Sequence, residues 1–535
     1  MGNRNTNTTN YAHNDEPNLL NLHKALQYDG QGKPALRTTA TSGGGNPSGL
    51  SAFGENIAVP LTPVIQLDAL YGFDPREFQL YSQFGGNSES TGTLYKVHTG
   101  TNTYGYGVLR SNRIIRYRPG QGVLARFTAA FENPQANVTL RAGLFAQEQA
   151  LNIGYDNITG QFGVLRQNGG KAVIQTLTVG EITTVGAEGD VDIVLNGAAA
   201  VVVTLVQGTA EEVASQIAET VFPGWTVEQC DDTVRFLSNS LGPATGAFTF
   251  APSAIDGATV TGTFTESQAG VVDTNNWTYQ TDWNIDTMDG NGPSGIDMDW
   301  SKLNIFQVNF RWLGAGEIRW AIENPLTGDM MFIHHEHYSN LNTDVHLDNP
   351  SFKIGYIAAH LGVGTITDSH VTGASMMAAI EGMIVDNNYP TSVSSGRLTS
   401  LSSNIVHKVL SVKNSIIYKD KINLREMKLK TLSLSSQNNS PIEIFLLLNS
   451  TESVSNLWNK IGDFSSVVAD ITTSGTYLLT NEQPLVILIG GINGTSTFDI
   501  SGYNITLPPG SKFTVAARSG AVIQQIDAAL TWTEN

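Results

Sequence analysis

The stretch RIIRYRPGQGVLARFTAAF, residues 113–131, decides how the rest of the chain is read. Pro119 and Gly120 cannot continue a hydrogen-bonded ladder, and on their far side Val123, Ala125 and Phe127 alternate with Leu124 and Arg126. Alternation with a period of two, entered through a Pro-Gly turn, predicts strand, turn, strand. The same pattern continues outward through VTLRAGLFA, QFGVLRQ and KAVIQTLTV, with no long helical period between them. The whole chain fits that pattern: it is 40% hydrophobic but only 15% charged, and its 54 glycines come with abundant Asn, Ser and Thr, a composition suited to many short strands joined by polar turns. Its 535 residues exceed what one hydrophobic core organises, so about three or four domains are expected. The fold class expected is mainly β: tandem antiparallel β-sandwich or jelly-roll-like domains with a small inserted α+β module.

Residues 1–56 are polar and glycine-rich, from NRNTNTTNYAHNDEPN to TSGGGNPSG, and too poor in apolar surface to order themselves. They are read as an extended arm that docks on a larger assembly. Residues 57–177 and 271–390 form a discontinuous central β domain, interrupted by residues 178–270. Inside the insertion, DVDIVLNGAAAVVVTLV reads as a hairpin about Asn196 and Gly197, and TAEEVASQIAETV as a helix. Thr209 can cap that helix, Glu212 completes a capping box, and Val213, Ile217 and Val221 line one face. The Ser-rich PTSVSSGRLTSLSS suggests a linker over 391–404. Residues 405–535 then read as a C-terminal β-sandwich, with Pro508, Pro509 and Gly510 between two strands and Ile526, Ala528, Leu530 and Trp532 on one face of the last.

A net charge of −18 argues against a protein that tracks nucleic-acid phosphates. A single cysteine, Cys230, rules out an internal disulfide framework, and Asp231 and Asp232 beside it disfavour a reactive thiolate. No basic-then-apolar leader is present, and no uncharged apolar run reaches the roughly 18 residues of a spanning helix, so membrane insertion is not expected. MGNRNT matches the short myristoylation pattern at Gly2 and Thr6, and sequons such as those at Asn137 and Asn504 are what this composition yields by chance.

Three segments look chemical. WNIDTMDGNGPSGIDMDW, residues 283–300, crowds Asp286, Asp289, Asp297 and Asp299 among Gly290, Gly292 and Gly295. Its spacing misses the calcium-loop pattern D-x-[DN]-x-[DN]-G, and a glycosidase pair needs two carboxyls about 5 to 9 Å apart, which spacing does not define. The favoured reading is a structural turn made by Asp286, Asp289, Gly290, Gly292, Gly295 and Asp297, with carboxylates on nearby amides and glycines at positive φ. The run HHEH puts His335 and His337 on one side of a strand, and His346 on a following strand would complete a three-histidine metal site. Packed or interface histidines are preferred, and neither a metal nor a cofactor is expected. From Lys408 to Lys430 the chain is locally basic, through Lys413, Lys419, Lys421, Arg425 and Lys428. A grip on an anionic glycan or acidic partner competes there with a solvated strand face, which is preferred. No phosphate-cradling glycine loop and no G-x-S-x-G elbow occurs, so no catalytic residue is assigned.

The succession RYRPGQGVLARFTAAF, RAGLFAQEQALNIGYD, WNIDTMDGNGPSGIDMDWSKLNIFQVNFRWLGAGEIRWAI and HHEHYSNLNTDVHLDNPSFKIGY resembles a module of structural proteins from tailed phages and some large DNA viruses. That module carries a Y-x-P-G turn, a G-x-F strand, a WN-x-D segment running into DG-x-G-x-SG, a WLG-x-G strand and a histidine-bearing strand. The inserted module is similar to small domains that recur in phage tail proteins. The sequence departs from the pattern at DNPSF, where others have PNLP-like turns. The resemblance implies a non-enzymatic virion component, a tail fibre, collar or vertex spike, assembled as a homo-oligomer with a trimer favoured. It also implies contacts with other virion proteins through the N-terminal arm, a host glycan or receptor as a further partner, and an architectural loop with Trp283, Trp300, Trp312 and Leu313 packed around it. A receptor- or glycan-binding tail protein and a glycan depolymerase are the alternatives.

Overall fold

The computed structural model describes residues 60–535 except 134, 185, 187, 256–259, 385–388, 397–398, 403–404, 438–440, 452, 472–474, 478–483, 491–493 and 520–523, together with two strands nearer the N-terminus. Those two, Leu26–Tyr28 and Pro34–Leu36, pair antiparallel with Leu26 opposite Leu36. The remainder of the segment read as an arm lies outside the described residues. From Leu61 onward the chain forms a second compact unit, built almost wholly of antiparallel sheets with one α-helix among the described residues.

The decisive stretch folds as strand, turn, strand: Ile115–Arg116, a turn with Gly120 at φ +86°, and Val123–Phe131, whose Val123, Ala125, Phe127, Ala129 and Phe131 are all buried. Val123–Phe131 lies at the centre of a nine-stranded sheet between Asn304–Phe310 and Ser375–Glu381. An eight-stranded sheet faces it, its middle held by Val138–Phe145 against Ser351–His360. The inner faces share one core that includes Phe127, Phe131, Phe162, Trp300, Phe306 and Tyr356. All ten residues of Ser351–His360 are buried, so that strand is covered on both faces.

Two smaller sheets and the helix surround a second core containing Val191, Ile193, Val213, Ile217, Phe222 and Phe236. The helix, Ala210–Ala218, starts where the capping box predicts: the Glu212 amide donates to Thr209 Oγ1 at 3.3 Å, and the Thr209 amide to Glu212 Oε2 at 2.8 Å. It ends sooner than its apolar spacing suggests, so Val221 falls beyond the last turn and is 82% exposed while Phe222 fills the core instead. Strand Ala172–Val179 crosses the expected boundary at 178, because it pairs with Thr233–Leu241 and Gly262–Gln268 and places Leu177 in this second core.

A third pair of sheets, six- and seven-stranded, encloses Leu410, Val412, Leu432, Leu446, Phe513, Leu530 and Trp532. The stretch read as a linker is part of it. Pro390–Ser394 and Thr399–Leu401 both pair with Gln524–Glu534, and Leu401 and Ser395 are buried. Thr391, Val393 and Thr399 supply the β-branched side chains that suit a pleated surface, and the serines between them hide that signal.

Candidate functional site

The Asp- and Gly-rich segment is anchored at both ends by indoles. Trp300 stacks on Phe162 at 4.2 Å between ring centres and meets Trp283 edge-on at 6.0 Å. The Trp283 Nε1 donates to the Thr278 carbonyl at 3.1 Å and the Trp300 Nε1 to Gln280 Oε1 at 3.0 Å, so both buried N–H groups are satisfied. Between the anchors, Asp286 is buried and divides its two oxygens: Oδ1 accepts from the Met288 amide at 3.0 Å, Oδ2 from the Ser294 amide at 2.8 Å. Asp289 accepts from the Thr287 hydroxyl at 2.6 Å and the Asn291 amide at 3.0 Å, and these bonds hold its carboxyl below the usual carboxylate range. Asp299 is lowered in the same way by the Ser301 hydroxyl and amide. A backbone bridge joins Asp289 to Asp297, and Gly290 and Gly295 take φ of +81° and +67°. At Gly292 a Cβ would lie 2.2 Å from Asp286 Oδ1, so only glycine fits against the carboxylate. Trp312 packs against the same core that holds Trp283 and Trp300. The Trp312 Nε1 donates to the Leu347 carbonyl at 2.9 Å beside Tyr117, and Leu313 is 72% exposed.

The histidines divide into different environments. His335, in edge strand Met330–Glu336, and His337, just beyond it, both turn Nδ1 toward Glu317 Oε1, at 3.0 and 3.6 Å. The other oxygen of Glu317 accepts from Arg319 Nε at 2.6 Å. His346 is not on a neighbouring strand and does not join them: it is buried in the segment between Glu336 and Ser351, its ring 5.3 Å from that of Tyr338. Burial, reinforced by the Arg166 guanidinium, pushes His346 down to about 4. Its folded-state pKa is thus below the unfolded value near 6.5, and between those limits only the unfolded chain takes the proton. Stability should therefore fall as pH drops from about 6.5 toward 4 and level off below, by up to about 3 kcal/mol from this group. Urea unfolding at pH 7 and 4.5 tests this, and His346→Gln should reduce the slope with pH; an identical slope in the variant would assign the acid sensitivity elsewhere.

The basic stretch is neither an open anion grip nor a uniformly solvated face. Lys408 is buried, with Nζ 2.6 Å from Oδ2 of the equally buried Asp470. Arg425 pairs with Glu534 at 3.1 Å, and Lys413 lies 3.8 Å from Glu228. Glu228 locks the inserted module to the C-terminal sandwich: Oε1 accepts from the Ser415 hydroxyl at 2.7 Å and Oε2 from the Ile416 amide at 2.8 Å. Beside this joint lies a groove of about 630 Å³ lined by Ser215, Glu219, Lys413, Asn456 and Trp458. Cys230 is buried nearby, and burial pushes its thiol up to about 11, which makes it a packing residue rather than a nucleophile. Glu317, Glu228 and Asp470 went unnoticed in the sequence because each is defined by a partner distant along the chain. For Glu317 alone there was a local cue, since Glu317 and Arg319 in GEIR share one side of a strand.

No known family profile matches the chain, and no curated protein matches it. Among solved structures, arcelin-5, a lectin-like defense protein from Phaseolus vulgaris, aligns over 61% of this chain and 99% of its own at 11% identity, with a TM-score of 0.20. The structure of infectious bursal disease virus Gx strain aligns over 78% of this chain and 83% of its own at 8% identity, with a TM-score of 0.11. At those scores neither likeness bears on fold or function. No helix among the described residues is long and apolar enough to cross a membrane.

Proposed function

We propose that this chain is a structural component of a virion, a fibre, collar or vertex-spike protein that assembles with copies of itself, as a trimer by analogy with fibres. The observation that carries the reading is the Asp- and Gly-rich loop. It is the segment with the most specific resemblance to virion proteins, and its carboxylates hold its own backbone while its tryptophans sit in the core. Residues that look chemical in sequence act there as architecture.

Two further features support self-assembly. Val486–Gly490 ends the seven-stranded sheet among the described residues, with Ile487 57% and Ile489 70% exposed. Val201–Val206 ends the three-stranded sheet, with Val202 58% exposed. Edge strands with outward apolar side chains are costly in isolation and useful where another subunit covers them. The direct test is immuno-electron microscopy with antibody against the purified chain on particles from the source culture. Label at regular positions on the particle surface is expected; particles that contain none of this chain would overturn the proposal.

A further inference from the structure

We propose that Glu317, His335 and His337 form a binding site for a divalent transition-metal ion of the zinc class, one per chain, that clamps the outer edge of the nine-stranded sheet. Ile318–Glu323 pairs with Met330–Glu336, placing Arg319 opposite His335 and Ile318 opposite Glu336. Glu317 and His337 are each one residue beyond that last pair, at the same end of the hairpin. Period-two alternation then brings His335 and His337 to one side, with Glu317 across from them.

The donor atoms converge. One ligand atom from each of the three residues lies within 4.8 Å of the other two, with Oε1 at 3.0 Å from one Nδ1 and 3.6 Å from the other. Ligands bound tetrahedrally at about 2.0–2.2 Å from zinc stand roughly 3.3 Å apart, so the two measured separations bracket the required spacing. The wider imidazole pair closes through His337, which is 65% exposed and free to turn.

Glu317 is already oriented for this role. Arg319 takes Oε2 through Nε at 2.6 Å and through its terminal nitrogen at 2.5 Å, with Arg311 3.8 Å from the same oxygen. Oε1 is left facing the imidazoles, an arrangement like the outer-shell contacts that fix ligating carboxylates. Arg319 is itself held over the Phe332 ring at 5.7 Å. The donor set fixes the selectivity: Mg²⁺ and Ca²⁺ require oxygen ligands and find one carboxylate here, whereas two imidazoles favour zinc, cobalt or nickel. Two His and one Glu leave a fourth coordination position open, as three-ligand zinc sites do.

Met330–Glu336 is the last strand of its sheet among the described residues, and a metal bridging it to its neighbour would hold the free edge in register. The test uses the full chain, stripped with a chelator and dialysed at pH 7.5. Calorimetric titration with ZnCl₂ should give one equivalent bound in the micromolar range. Co²⁺ in its place should produce the visible absorption of four-coordinate cobalt, and neither MgCl₂ nor CaCl₂ should compete. His337→Ala, at an exposed position, should fold with an unchanged metal-free unfolding midpoint and lose about tenfold or more in affinity, as should Glu317→Gln. Absence of zinc binding to the wild-type chain, or one-equivalent binding undiminished in both variants, would overturn the assignment.

Discussion

Asp470→Ala should lower the stability of the C-terminal sandwich by about 3–5 kcal/mol, and Lys408→Ala by a similar amount. Both side chains are excluded from solvent, with relative exposures of 1% for Lys408 and 0% for Asp470. Their 2.6 Å contact is supported by Asn456 Oδ1, which accepts from Lys408 Nζ at 3.1 Å, and by the Leu457 amide, which donates to Asp470 Oδ2 at 3.1 Å. Removing one partner leaves a charge in a low-dielectric interior, and the full desolvation penalty then appears as lost stability. Replacing both is different. Lys408→Met with Asp470→Leu should recover most of the loss, because an apolar pair leaves no buried charge and only the bonds to Asn456 and the Leu457 amide are given up. Urea unfolding followed by circular dichroism measures all three variants. A single-variant loss below about 1 kcal/mol would mean that water reaches the pair and screens it.

Asp286→Ala is the second large effect, expected at about 3 kcal/mol, because the buried Met288 amide and the part-buried Ser294 amide lose a charged acceptor at once. Asp286→Asn should be intermediate: one amide oxygen still accepts, but the new NH₂ group faces a backbone donor. Asp289→Asn, at a more open position with an exposed turn around it, should have the smallest effect of the three. Thermal unfolding of the three variants gives the ranking. Equal effects at 286 and 289, or a larger loss at 289, would contradict the assignment of the main anchoring role to the buried Asp286.

Periodicity made much of the fold readable. Val123–Phe131 and Gln524–Glu534 alternate along one face, and a period of two assigns both strand and buried side without further information. The capping box at Thr209 and Glu212 was equally legible, because an N-cap is a local device complete within four residues. Legibility ended where neighbours lie far apart in sequence. Lys408 reads as one lysine of a basic stretch until Asp470, 62 residues later, is placed beside it. The strand Val406–Asn414 is buried at seven of nine positions, and covering on both faces erases the alternation that would have distinguished an inward lysine from an outward one. His346 shows the same limit, since counting from HHEH suggested a neighbouring strand while the chain leaves the sheet in an irregular segment. The carboxylates of residues 283–300 make contacts only two to eight residues away along the chain, a range that local sequence reading covers.

The solution mass of the purified full chain, from light scattering coupled to size exclusion, tests the central claim most directly. Assembly with itself predicts a single species near three times the 57.4 kDa of one chain, unchanged on dilution through the micromolar range. A compact monomer at every concentration would contradict it.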